Sequence, residues 1–280
     1  MMSYTSILKR ITGTFVQDGA GVNLSRIIGQ PRLRNLDPFL LLDEFKSESS
    51  KDYIAGFPSH PHRGFETVTY MLHGAMRHRD NQNNEGHLRT GDIQWMTAGR
   101  GIVHEEMPEQ DNGLLWGFQL WVNLPSAQKM CNPRYQDIAS HFIQEINLTH
   151  GGIVRIIAGQ YQDKQGVIKD VSVKPEYFDV RLTEKDIFEH TIEEGRTSFL
   201  YVYLGEIELF DSHEKWEKIH TNELAVLDPG KRLKLQGEKA GVLFLSAFPI
   251  REPIVQYGPF VMNNPQEIEQ AINDYREGNF

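Results

Sequence analysis

Two short stretches of this 280-residue chain hold the residue types that do metal chemistry. The first is Ser59-His60-Pro61-His62-Arg63-Gly64-Phe65-Glu66, and the second is Gly101-Ile102-Val103-His104-Glu105-Glu106. His60 and His62 are two residues apart, so on an extended strand both imidazoles leave the same face. Pro61 between them points away and offers no amide to a neighbouring strand. His104 and Glu106 repeat the spacing. One such histidine pair is commonly no more than a hydrogen-bonded surface feature, whereas a second pair that includes a carboxylate makes a ligand set. Three neutral imidazoles and one carboxylate suit a divalent first-row metal and, in an octahedral arrangement, leave two exchangeable positions. Iron(II) there would hold an enolate or catecholate oxygen beside dioxygen. Zinc prefers four ligands and hydrolytic or structural work. Copper, nickel, manganese and cobalt suit the same donors, so affinity alone does not choose the metal.

The elements around these residues read as strands. Thr67-Val68-Thr69-Tyr70-Met71-Leu72 is β-rich, a polar segment follows from Arg77 to Arg89, and Gly91-Asp92-Ile93-Gln94-Trp95-Met96 returns to an extended pattern. Folded back as antiparallel pairs, they bring both histidine segments to one end of a barrel. Upstream, Asp18-Gly19-Ala20-Gly21 is a turn between two strands and, with no following helix, not a phosphate loop. Phe39 to Phe45 is a buried strand that leads toward the site, with Asp43 and Glu44 near its end. In Phe118 to Val122, Phe118, Leu120 and Val122 alternate with Gln119 and Trp121, and one of these faces lines the interior. Trp95, Trp116 and Trp121 are candidates for an aromatic wall on which a planar substrate would stack. Asn123-Leu124-Pro125-Ser126 closes the unit, and the stretch to about residue 145 reads as a linker.

The motifs HPHRGFETVTY, GDIQWMTAGRGIVHEEMP and LWVNLP resemble the pirin family of the cupin superfamily. So do Asn35-Leu36-Asp37-Pro38-Phe39-Leu40-Leu41-Leu42-Asp43-Glu44-Phe45, Arg251-Glu252-Pro253 and Gly258-Pro259-Phe260-Val261-Met262-Asn263, so the likeness covers nearly the whole chain. The gap from Gly56 to His60 is shorter than in general cupins, which take their acidic ligand from the place of Glu66. Pirins take it from the place of Glu106. The resemblance thus implies His60, His62, His104 and Glu106 as metal ligands, with Glu66 behind them and iron(II) as the metal. It also implies an all-β bicupin, two tandem antiparallel β-barrels of jelly-roll type with a short C-terminal helix.

The second half repeats the plan without its metal. Ser198 to Leu209 aligns by pattern with Thr67 to Met76, Gly205 standing against Gly74, which sets Thr191 and Glu193 where His60 and His62 stand. Residues 1–138 are therefore expected as a metal-binding N-terminal barrel and 139–280 as a cupin-like barrel without ligands. At the end, Asn264-Pro265-Gln266-Glu267 supplies an N-cap, a proline at the first helical position and an acid three residues on. Ile268, Ala271, Ile272 and Tyr275 then recur at helical spacing.

Composition bounds what remains. Hydrophobic content of 39% is that of a globular protein, and no run approaches the roughly 18 apolar residues of a membrane span. The first ten residues carry no signal-peptide core, and a single cysteine, Cys131, provides no internal disulfide, so the expectation is cytoplasmic, and nuclear as well in a eukaryote. Net charge is −9, with 14 Lys and Arg against 15 Asp and Glu up to residue 140 and 15 against 23 beyond it. That acidic second half argues against direct DNA contact.

Two functions stay open. One is a quercetin 2,3-dioxygenase, as the family resemblance implies, acting on a small planar phenolic substrate of flavonol type and releasing carbon monoxide, with Glu106 as base and Glu105 its rival if the strand twists. The other is a metal- or redox-sensing transcriptional co-regulator that acts on a protein partner, for which Arg63, Arg77, Arg79 and Arg100 would gather beside the metal mouth.

Overall fold

The computed structural model describes residues 3–110 and 112–280. Strand follows strand along the chain, and the one α-helix among the described residues is C-terminal, Pro265–Glu277. No helix among them is long and apolar enough to cross a membrane. The strands form two compact units: Thr14–Ser140 with Ile250–Phe280, and the N-terminal stretch to Gly13 with His141–Pro249. The mid-chain change of unit falls beside the division expected near residue 138, but each unit also takes in the far end of the chain. The reason is strand pairing and packing. Ile7–Thr12 is an edge strand on Glu223–Leu227, and the C-terminal segment packs Phe260, Met262, Ile268 and Ala271 into a cluster of its own.

In the histidine-bearing unit the larger sheet has seven antiparallel strands, in the order Arg134–Ile138, Ile93–Thr97, Phe65–His73, Leu115–Asn123, Phe39–Ser47, Val22–Ile28 and Thr14–Asp18. The smaller sheet runs Phe57–His62, Ile102–Pro108, Met76–Asp80 and Glu85–Leu88. The two face each other, since Leu24, Phe45, Met71 and Leu115 from one share a core with Met76 and Leu88 from the other. The second unit has the same plan, a seven-stranded and a four-stranded sheet closed over a continuous apolar core that includes Val154, Phe178, Phe188, Leu209 and Leu235. Among the described residues no sheet closes into a barrel; each unit is a pair of facing sheets.

The C-terminal helix follows its sequence signals. The Asn264 side chain accepts from the Glu267 amide, Pro265 opens the first turn, and Gly278 ends the helix in the left-handed conformation. Its segment is fastened to the histidine strand. Arg63 accepts from the Val261 amide with its carbonyl and pairs through Nη1 with Asp274 at 2.7 Å. At Gly64, φ is +89° and a Cβ would overlap the Val261 carbonyl oxygen, so only glycine allows this approach. Lys129, 1% exposed, completes the clasp: Nζ donates to Gly64 O at 2.8 Å, Asn123 Oδ1 at 2.7 Å and Val261 O at 3.0 Å.

Burial lowers the Lys129 pKa to about 8, with Glu252 and Glu267 pulling the other way. The unfolded chain therefore holds the extra proton between pH 8 and 10.5, and the contribution of Lys129 to stability rises with pH across that window. Lys129→Met strands three buried acceptors and should cost roughly 3 kcal/mol in urea denaturation at neutral pH. The deficit against wild type should grow from pH 8 to 10.5; a deficit that does not change with pH would show that Lys129 is not a buried ammonium.

Candidate metal centre

The strands Phe57–His62 and Ile102–Pro108 are antiparallel neighbours, with His104 directly opposite His60 and Ile102 opposite His62. Residues two apart share a face, so this register gathers His60, His62 and His104 on the inner side of the small sheet. Their ring centroids lie 4.7, 4.5 and 5.0 Å apart pairwise. One nitrogen from each comes within 4.8 Å of the others, and among the described residues this is the one such group that could hold a metal.

The electrostatics suit a cation. Burial first, then the neighbouring imidazoles, hold the pKa of His62 and of His104 well below the usual histidine range, so both rings are neutral and have lone pairs to donate. His60 Nε2 and His62 Nε2 converge to 3.0 Å. His104 is 1% exposed, and neither of its ring nitrogens has a hydrogen-bond partner among the described residues. Leaving such atoms unsatisfied costs about 1–3 kcal/mol each, a cost that a metal bond removes. His60 is oriented from behind by its Nδ1, 2.9 Å from the Pro58 carbonyl.

Glu106 lies on the same strand face as His104 and reaches across to the large sheet. Its Oε1 accepts from Thr69 Oγ1 and its Oε2 from Gln119 Nε2, each at 3.0 Å. The Thr69 hydroxyl also lies 2.7 Å from Gln119 Oε1, and its single proton serves one of these two oxygens at a time. Glu105 alternates to the other face and sits 3.6 Å from Arg77, away from the histidines. Glu66 does not stand behind the ligands. Phe65 packs on His62 and Thr69 faces the cavity, so alternation turns Glu66 to the opposite side of the sheet, where Oε1 accepts from Thr97 Oγ1 at 2.7 Å.

A cavity of about 830 Å³ opens onto this group, with His60, His62, Glu106, Thr69, Gln119 and Trp121 among its lining residues. Of the three tryptophans only Trp121 forms part of it, with its ring 5.2 Å from that of His62. Trp95 is a core residue at 1% exposure, and Trp116 donates to Glu44 while Lys46 lies over its ring. Asp43 does face the cavity, whereas Glu44 faces away. The arginines expected at the mouth are elsewhere. Arg63 is buried against Asp274, and Arg77 and Arg79 pair with Glu105 and Glu85. The cavity is lined instead by Arg26 and Arg34.

In the second unit, the strand Ile187–Thr191 pairs with Arg232–Gly237 as the histidine strand pairs with its neighbour. His190 there is 3.2 Å from Glu176 and ringed by Phe178, Phe188 and Phe244, and among the described residues it belongs to no histidine group that could hold a metal.

Comparison with known proteins agrees with this geometry. A family model named Pirin matches residues 21–122, and one named Pirin C-terminal cupin domain matches residues 177–280. A Pseudomonas aeruginosa protein that bears quercetin 2,3-dioxygenase as a provisional name is 47% identical over 99% of both chains. This chain belongs to the pirin family. Human pirin is 41% identical over 92% of this chain and 88% of its own. Among solved pirin-like folds, a quercetin 2,3-dioxygenase from Acinetobacter baumannii superposes with a TM-score of 0.90 at 35% identity over 99% of both chains. The chain thus carries two cupin domains, as its pirin motifs imply, with the metal-type histidine group in one of them.

Two measurements check the centre. Divalent metal at a hundredfold over its Kd should stabilise the protein by about 2.7 kcal/mol, and His104→Ala should abolish that gain. Because His62 and His104 titrate low, metal uptake should persist below the pH of about 6.5 at which free imidazole gains its proton. Loss of uptake already at that pH would contradict neutral, buried rings.

Proposed function

We propose that this pirin is a metal-dependent dioxygenase of quercetin 2,3-dioxygenase type, in which His60, His62, His104 and Glu106 hold iron(II). The observation that carries the reading is the gathering of three imidazoles beside a cavity that Glu106, held by Thr69 and Gln119, also lines and that is large enough for a small aromatic molecule. The names of relatives at 47% and 35% identity support the same chemistry. When bound, iron(II) would polarise the enol oxygen of a flavonol and supply the redox activity that dioxygen requires.

The chain's own residues do the rest. Leu24, Leu40, Phe45 and Trp121 wall the cavity with apolar surface, which excludes water and favours a flat aromatic ring. Thr69 and Gln119 hold Glu106 by one hydrogen bond on each oxygen, and each oxygen keeps a lone pair. Glu106 takes the proton of the flavonol 3-hydroxyl group, the step that turns the neutral enol into an electron-rich enolate. Opening of the central ring then incorporates both atoms of dioxygen and expels one ring carbon as carbon monoxide, so the atoms balance. Zinc, nickel, copper, manganese or cobalt would fit the same donors, and which one the protein carries is decided by quantifying metal after anaerobic purification.

The test is quercetin consumption with carbon monoxide detection on iron-loaded protein, beside His60→Ala and Glu106→Gln. Wild type should release carbon monoxide, His60→Ala should lose metal and turnover together, and Glu106→Gln should keep metal while turnover falls by about 10²–10⁴. Near wild-type turnover in metal-loaded Glu106→Gln sinks the assignment of the base. Stoichiometric iron without carbon monoxide would favour the co-regulator instead.

A further inference from the structure

The large sheet carries a polar row across its inner face. In register, Arg26 stands opposite Asp43, Asp43 opposite Gln119, Gln119 opposite Thr69, Thr69 opposite Gln94, and Gln94 opposite Asp137. Six neighbouring strands thus each contribute one hydrogen-bonding side chain where a sandwich interior is ordinarily apolar. Glu106 docks on the centre of this row through Thr69 and Gln119, and His78 of the small sheet accounts for Gln94. Among the described residues no such partner from the small sheet covers Arg26 and Asp43. They line the cavity, Asp43 one strand spacing (about 5 Å) from the Gln119 column and two from that of Thr69, and Arg26 one spacing further out.

Their chemistry is specific. Arg26 Nε and Nη2 donate to the two oxygens of Asp43 at 2.9 and 2.7 Å, and Nη2 also reaches Asp18 at 2.6 Å. Nη1, with two N–H groups, has no acceptor among the described residues. Burial pushes the Asp43 carboxyl up to about 6 against the pull of Arg26, so at neutral pH it is an acceptor held in a poorly solvated place. Arg26 and Arg34 face Asp18 and Asp43, which balances charge at this end of the cavity. A balanced donor and acceptor pair selects a neutral hydroxylated group over a carboxylate or phosphate.

We propose that Arg26 and Asp43 are the specificity-determining end of the cavity and bind the vicinal hydroxyls of a catechol ring remote from the metal. One hydroxyl donates to Asp43, and the neighbouring oxygen accepts from Arg26 Nη1. This inference rests on the reading of the site as one for flavonols, and it adds which part of the flavonol is recognised and by which side chains.

The experiment is an anaerobic titration of iron-loaded protein with quercetin and with the flavonol whose pendant ring lacks hydroxyls, followed by the shift in flavonol absorbance. Quercetin should bind about tenfold more tightly, the worth of one hydrogen bond to a charged group. The isosteric Asp43→Asn, and the pair Arg26→Gln with Asp43→Asn, should bring the two affinities within about twofold. Equal affinities in wild type overturn the proposal, as does an undiminished preference in the variants that fold. If neither flavonol binds, the flavonol reading falls and takes this one with it. If the preference is present but added oxygen yields no carbon monoxide, the recognition site stands and only the dioxygenase reading fails.

Discussion

Everything in the metal-bearing unit depends on gathering three imidazoles, two of them kept uncharged by burial, within one small volume. A protonated ring at His62 or His104 would be a desolvated charge beside two like neighbours, a cost of several kcal/mol. Neutral rings are stable there only while their lone pairs meet something positive, because the described residues offer His104 no hydrogen bond. The histidine group is therefore incomplete by itself, and its geometry follows from what a cation needs. The strand register that sets His104 against His60 and the clasp of Lys129, Gly64 and Val261 beside His62 are the means by which the fold holds those rings in place.

The facing sheet meets that centre with polarity rather than with more apolar surface. A row of side chains from Arg26 to Asp137 crosses its inner face, and Glu106 bridges from one sheet to the other on the middle of it. Polar groups in a sandwich interior are costly unless each finds a partner, and these are satisfied by one another or face the cavity. The same row that orients the carboxylate thus extends away from it along the cavity floor. Apolar side walls and a polar floor together define a site for a flat molecule with oxygen atoms at separated positions.

Much of the site was legible in the sequence because its signal is local. A spacing of two along a strand decides the face, so His60, His62, His104 and Glu106 could be grouped from spacing and family motif alone, and Gln119 and Trp121 belonged to one of two possible faces. Glu66 was misplaced for an instructive reason. It follows the Gly64 turn, and the parity of the new strand, which turns Phe65 inward and Glu66 outward, is not encoded in the distance from His62. The polar row was invisible because it exists only once six strands from distant parts of the chain are in register. The same holds for Ile7–Thr12, whose partner strand lies more than two hundred residues away, and for Trp95 and Trp116, whose burial depends on neighbours that local pattern does not name. The C-terminal helix, by contrast, has its cap, proline and apolar stripe within fourteen residues and forms where they indicate.

On the proposed reading, His60, His62, His104 and Glu106 together hold a divalent iron. Crystals of protein loaded anaerobically with iron(II), measured on both sides of the iron absorption edge, test it most directly. A single strong anomalous peak is expected within bonding distance of one nitrogen of each histidine, about 2.1 Å as for other imidazole-bound first-row metals, and of a Glu106 carboxylate oxygen. A peak at other residues, or none in protein shown to contain iron, would contradict it.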